Sequence, residues 1–212
     1  MPKPMYVWSG SAWVSVAAEV ESLAGYATQS YADNTPGMKM IVPTSVAVGS
    51  GSGSIATQGT VTFSGASSVS LNGAFSSTYD NYRIVINVVG SSGVPDIRMR
   101  LRTSGTDNSA SEYRMGRYYV GVTSALTAGS ENATTATSFF VGQTSTDYSY
   151  IITELSNPQL ARRKNGISLN AGNSTSFIGL GLNNTTTYDG FTIYPDAGTI
   201  TGTIRVYGLK NG

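Results

Sequence analysis

Three arginines recur at every second position in Ile97-Arg98-Met99-Arg100-Leu101-Arg102, and Arg114 and Arg117 follow soon after. A guanidinium presents a planar fork of donors that matches carboxylate or sulfate oxygens, so a row on one strand face could hold an acidic glycan. Asp96, Asp107 and Glu112 lie in the same stretch. Pairing with them, or with a neighbouring subunit, is the structural alternative. Tyr113, Tyr118 and Tyr119 stand among these arginines, and a tyrosine offers a flat apolar ring with a polar tip, suited to stacking on a sugar face. The glycan-binding candidates are therefore Arg98, Arg100, Arg102, Tyr113, Arg117, Tyr118 and Tyr119. For each tyrosine, packing within a sheet is the competing role. Tyr118 and Tyr119 must point to opposite faces if they share a strand.

Other chemistry has little support. The chain contains 0 His and 0 Cys, which removes the groups that most often transfer protons, act as thiolates or ligate transition metals. Its 12 acidic residues could supply a glycosidase pair, but no Asp/Glu motif stands out. No phosphate-binding, dinucleotide or nucleophile-elbow motif is present. The expectation is a protein that is not an enzyme, with no catalytic residues, no metal and no cofactor. Asn132, Asn173 and Asn184 open N-glycosylation patterns, read here as chance matches in Ser/Thr-rich sequence.

The 212 residues carry a net charge of +1, which argues against a nucleic-acid partner. Charged residues make up only 12%, about half the usual share. Ser, Thr, Asn and 25 Gly supply the polarity instead, as in turn-rich β-proteins exposed outside cells or on virions. No run of about 18 apolar residues exists, so membrane insertion is not expected. The N-terminal MPKPMYVWSGSAWV lacks the apolar core of a signal peptide. Synthesis in a cytoplasm followed by display on a virion surface reconciles these features.

Several elements must position the candidate residues. Met5–Trp8 and Trp13–Val16 read as a hairpin about the turn Ser9–Ala12. Tyr6, Trp8 and Trp13 then either pack on the chain's own next segment or dock on another protein, since aromatic anchors concentrate interface energy. A short helix is predicted over Ala17–Ala32. Val16, Val20, Leu23 and Ala27, with Tyr31 at its end, form a brief heptad-like seam for self-association. Met38–Val42 reads as a strand, and Gly49–Ser54 as a flexible linker. From residue 55 onward, strand follows strand, with strict alternation in Thr60–Ser64, Ser68–Leu71 and Ile97–Arg102, and with Tyr82–Val89 as the most apolar run, expected to be a central strand. Later strands are expected near 138–141, 148–154, 159–163, 166–170, 175–182, 190–194 and 198–208, with a type I′ turn at Lys164-Asn165-Gly166. The fold class is mostly β: an antiparallel, jelly-roll-like β-sandwich preceded by an N-terminal β-hairpin and a short α-helix. The expected division is an attachment segment (1–48), a Gly/Ser linker (49–54) and a distal sandwich (55–212).

Three stretches carry a resemblance. Tyr26-Ala27-Thr28-Gln29-Ser30-Tyr31-Ala32-Asp33 is similar to the helix preceding the distal domain of phage fibres. Val69–Ile84, with its Leu71-Asn72-Gly73-Ala74-Phe75 core, resembles the opening of such a domain, and Thr199–Gly208 its closing strand. The chain thus resembles the small fibre and receptor-binding proteins of tailed bacteriophages. The resemblance implies a homotrimer, anchored by its N-terminus to other virion proteins of tail or capsid, whose sandwich adheres to host surface glycan. The alternative it leaves open is a head fibre or decoration protein with a mainly structural role.

Overall fold

The computed structural model describes residues 6–15, 37–121 and 128–209. The chain divides into two compact units, Met1–Gly37 and Met38–Gly212. The first holds β1 (Tyr6–Trp8) and β2 (Trp13–Ser15), an antiparallel pair whose backbone register sets Trp8 opposite Trp13. Its turn is closed by Ser9, whose amide and hydroxyl both donate to the Ala12 carbonyl at 2.9 Å. The expected helix over Ala17–Ala32 and its seam of Val16, Val20, Leu23, Ala27 and Tyr31 lie outside the described residues.

The second unit is built of strands. They begin with β3 (Met38–Ile41), β4 (Ser45–Val48), β5 (Ser52–Ile55), β6 (Val61–Ala66), β7 (Val69–Asn72), β8 (Asn81–Ser91), β9 (Asp96–Thr103) and β10 (Thr106–Asp107). They continue with β11 (Tyr113–Gly121), β12 (Ala128–Ala136), β13 (Phe139–Gln143), β14 (Ser149–Ser156), β15 (Lys164–Ala171), β16 (Ser174–Leu182), β17 (Gly190–Pro195) and β18 (Ile200–Leu209). The larger sheet runs β12-β11-β16-β15-β14-β8-β18-β6-β5, with β3 also on β18. The smaller runs β10-β9-β17-β7-β4, with β13 also on β9. Their ladders are antiparallel, and the two sheets share one hydrophobic core, the arrangement of a β-sandwich.

Alternation explains the core. In β8, Tyr82, Ile84, Ile86 and Val88 are buried, and in β9 so are Ile97, Met99 and Leu101. Each aliphatic side chain buried this way contributes about 1.5–3 kcal/mol. Aromatic rings also fill the core. Phe75 meets Tyr82 edge-on at 4.8 Å and stacks on Phe191 at 5.6 Å. The Tyr82 hydroxyl donates to the Ser76 carbonyl at 2.6 Å and accepts from the Ser76 amide at 2.7 Å, so its polar tip is satisfied.

Three expectations need correction. The Gly/Ser run 49–54 is no hinge: β5 pairs with β6, the Gly49 amide donates to Ser68, and the Ser50 hydroxyl donates to Gly65. A Cβ on Gly51 would lie 2.0 Å from the Ser64 carbonyl oxygen, and its φ is +72°, so the glycine there permits backbone contact rather than flexibility. The compact unit accordingly begins at Met38, not at residue 55. Lys164-Asn165-Gly166 is no turn but the start of β15, where Gly166 lets the strand approach Glu154 too closely for any side chain, 2.3 Å from its oxygen to a built Cβ. Finally, 159–163 is loop, not strand.

Candidate functional site

The arginine row lies on the outer face of the smaller sheet, as alternation predicts, but its charges are engaged. Arg98 Nη2 meets Asp96 at 2.8 Å, and its guanidinium lies 5.4 Å from the centre of the Phe140 ring. Burial raises the Asp96 carboxyl above its ordinary pKa, while the Arg98 charge opposes that shift. Arg100 Nε donates to the Thr137 carbonyl at 3.1 Å and stacks 5.0 Å from Tyr194. Arg102 is a hub. Its Nη1 reaches Asp107 at 2.6 Å, Thr192 at 2.7 Å and Ser70 at 2.8 Å, its Nε donates to Asn72, and Nη2 donates to the Gly105 carbonyl. With its side chain 12% exposed, Arg102 ties β7, β10 and β17 together. The structural alternative for this row is thus realised with Asp96 and Asp107. Glu112 instead accepts from Asn108 and Asn184.

Strand β11 separates the remaining candidates by face. Tyr113, Met115, Arg117 and Tyr119 turn inward. Tyr113 is fully buried, edge-on to Phe139 at 4.7 Å, and therefore cannot stack on a sugar. Arg117 pairs with Glu131 at 2.9 Å with its side chain 10% exposed, and its guanidinium lies 4.5 Å from the Tyr119 ring and 4.4 Å from that of Phe140. Tyr118 alone of the three tyrosines faces solvent fully, at 73% exposure.

Tyr118 opens an apolar row across the outer face of the larger sheet. The register aligns Ser130, Tyr118, Phe177, Leu169, Ile152 and Val85 as direct cross-strand partners from β12 to β8. Phe177 is 50% and Leu169 44% exposed. On the next rung, Asn132, Gly116, Gly179 and Ile167 align in the same way. The two glycines leave a hollow of about 380 Å3, walled by Tyr118, Phe177, Ser130 and Asn132. Aromatic walls with amide and hydroxyl neighbours can take the C–H face of a sugar and bond its hydroxyls.

Phe177, Gly116, Gly179 and Asn132 were not among the sequence candidates. The signal for Phe177 is present nonetheless. Ser174, Ser176, Ile178, Leu180 and Leu182 are its strand's inward phase, so a phenylalanine in the outward phase is out of place in a sheet with one solvated face. A second hollow of about 240 Å3 beside Tyr188 has its polar groups committed to one another: the Asn108 and Asn184 amides both donate to the Tyr188 hydroxyl and to Glu112. In the N-terminal unit Trp8 is 53% exposed, while the side chains of Tyr6 and Trp13 lie outside what is described.

No family model matches the chain, and no curated protein matches it. Among solved structures, the chain is similar to domain 4 of AbnA, a GH43 extracellular arabinanase from Geobacillus stearothermophilus, solved with arabinotriose. The identity is 10%, the TM-score 0.29, and the match covers 79% of this chain and 83% of that one. A likeness so loose leaves the function to be argued from the chain's own residues.

Proposed function

We propose that the chain is a non-enzymatic virion fibre of a tailed bacteriophage: a homotrimer anchored by its N-terminal unit to other virion proteins, with a jelly-roll-like sandwich that adheres to host surface glycan. The observation that carries adhesion is the solvent-facing aromatic pair Tyr118 and Phe177 beside a glycine-floored hollow on a rigid sheet. Rigid aromatics on a flat scaffold bind at low entropic cost. A binding role without turnover is supported by the lining of the hollow, which includes one carboxylate, Glu131. It is paired with Arg117 at 2.9 Å, so the hollow does not hold the carboxyl pair that a glycosidase needs.

A second reading has its own support. Leu169 and Ile152 extend the same row, and Ile167 the next rung, with aliphatic rather than aromatic side chains, and such a patch suits protein contact. A head fibre or decoration protein, docked through this face, would use it structurally. Light scattering of the full chain, run together with a reducing-end assay on polysaccharides that retain it, tests the fibre. Three chain masses, retention and no released ends are expected. Turnover of the polysaccharide contradicts the binding role, and a monomer contradicts the fibre.

A further inference from the structure

Five arginines lie between Arg98 and Arg117, and four are engaged within the chain. Arg114 is exposed and, among the described residues, has no hydrogen-bond or ion-pair partner. Alternation along β11 sets Arg114, Gly116, Tyr118 and Val120 on one face, all exposed, while the intervening residues turn inward. The single free guanidinium of the cluster therefore stands on the aromatic face, two residues from the hollow's glycine floor. Its cross-strand partner is Gly181, where a built Cβ would sit 3.8 Å from the Arg114 Cβ. On β16, the positions beside Arg114 and Gly116 are Gly181 and Gly179, so no β16 side chain stands between the arginine and the hollow.

We infer that this face takes an acidic oligosaccharide, with one sugar ring in the hollow against Tyr118 and Phe177 and a carboxylate held by Arg114. The inference rests on the glycan-adhesion reading above and adds the chemical class of the glycan. Four residues of strand separate Arg114 from Tyr118, about 13 Å, longer than one sugar ring, so the ligand spans more than a single unit. The charge balance of the hollow selects the class. Glu131 lines it but is neutralised by Arg117 at 2.9 Å, and the Arg83–Glu154 pair on the same face is likewise closed on itself. Arg114 is left as the uncompensated charge, and a guanidinium holds a carboxylate through two parallel hydrogen bonds.

The test passes the full chain over polygalacturonate, alginate and hyaluronate, each beside its carboxyl-reduced, neutral counterpart. Retention on at least one uronate polymer, at least tenfold weaker on the reduced form and weakened by salt, is expected. Arg114→Gln should lose about tenfold in affinity, while Arg162→Gln, the same charge change on an exposed loop residue, should lose nothing. Gly116→Val should abolish retention at unchanged melting temperature, because a Cβ there meets no atom within 4 Å and the added methyl groups fill the hollow. Equal retention on acid and reduced polymers, or an Arg114→Gln variant as tight as the parent, overturns the acidic class and leaves glycan adhesion standing. No retention on any of these polymers, acidic or neutral, overturns both.

Discussion

Tyr113→Phe lowers the stability of the β-domain by about 2–4 kcal/mol, although it removes one oxygen atom. The Tyr113 hydroxyl accepts from the Leu101 amide at 3.1 Å and donates to the Asn108 carbonyl at 2.9 Å, and the residue is fully buried. Phenylalanine leaves both main-chain groups without a partner, each costing about 1–3 kcal/mol. In a domain of this size the melting temperature should fall by roughly 5–12 °C. Tyr113→Ala should cost more, about 3–5 kcal/mol for the lost ring. Glycan retention, measured well below the transition, should be unchanged, which separates this residue's structural role from the stacking role its sequence neighbourhood suggests. The alkaline limb carries the same signature. Burial raises the pKa of Tyr113 and of Tyr82 above the ordinary 10.0. The folded chain then holds protons that the unfolded chain releases, so this stability is complete below about pH 10 and is lost as pH rises beyond it. Tyr113→Phe should flatten that loss in a melting series from pH 8 upward; an undiminished loss would remove Tyr113 as its source.

The second large effect is expected at Lys164, whose side chain is fully buried with no carboxylate partner among the described residues. Its ammonium donates to the carbonyls of Leu160 at 3.0 Å, Arg162 at 2.6 Å and Thr186, and lies 5.3 Å from the centre of the Tyr188 ring. One cation thereby joins the loop that precedes β15 to the loop between β16 and β17. Lys164→Met keeps the stem's volume and strands the carbonyls of Arg162 and Thr186, while that of Leu160 keeps the Arg162 amide at 2.7 Å, so a loss of about 3 kcal/mol is expected. Arginine should not rescue it, because a planar fork cannot point three donors at one converging set of oxygens. Burial lowers the Lys164 pKa below the ordinary 10.5. The unfolded chain therefore binds its proton more readily, and stability rises with pH between the folded and unfolded values. That rise should vanish in Lys164→Met. Equal melting temperatures for parent and variant would contradict the clamp.

The strands with one buried face were legible because alternation is a direct record of burial. The Arg98, Arg100, Arg102 row faces outward, and Ile97, Met99 and Leu101 inward, as their spacing requires. Strand β12, AGSENATTA, was not legible: it is an edge strand with little of either face buried, so no pattern is imposed on it. Glycine is the residue type whose role the sequence leaves most ambiguous. In Gly51 and Gly166 the same residue type that marks linkers and turns instead admits a neighbouring backbone, and composition cannot separate the two uses. Nor can residue type separate a buried tyrosine from an exposed one: Tyr113 and Tyr118 differ only in strand phase. Lys164 had no signal at all, since its partners are main-chain carbonyls, which leave no mark in residue type. The aromatic face was half legible. Tyr118 was a candidate, while Phe177 becomes its partner only through the β11–β16 register.

We place the proposed adhesion on the outer face of the larger sheet and not on the arginine row of the smaller one. Affinity electrophoresis through a gel containing a polysaccharide that retains the parent chain tests it, with Tyr118→Ala/Phe177→Ala compared against Arg98→Ala/Arg100→Ala. The aromatic pair is exposed, so its removal should leave folding intact, abolish retardation and leave the arginine variant retarded like the parent. Retardation lost in the arginine variant and kept in the aromatic one would contradict the claim and return the binding site to the smaller sheet.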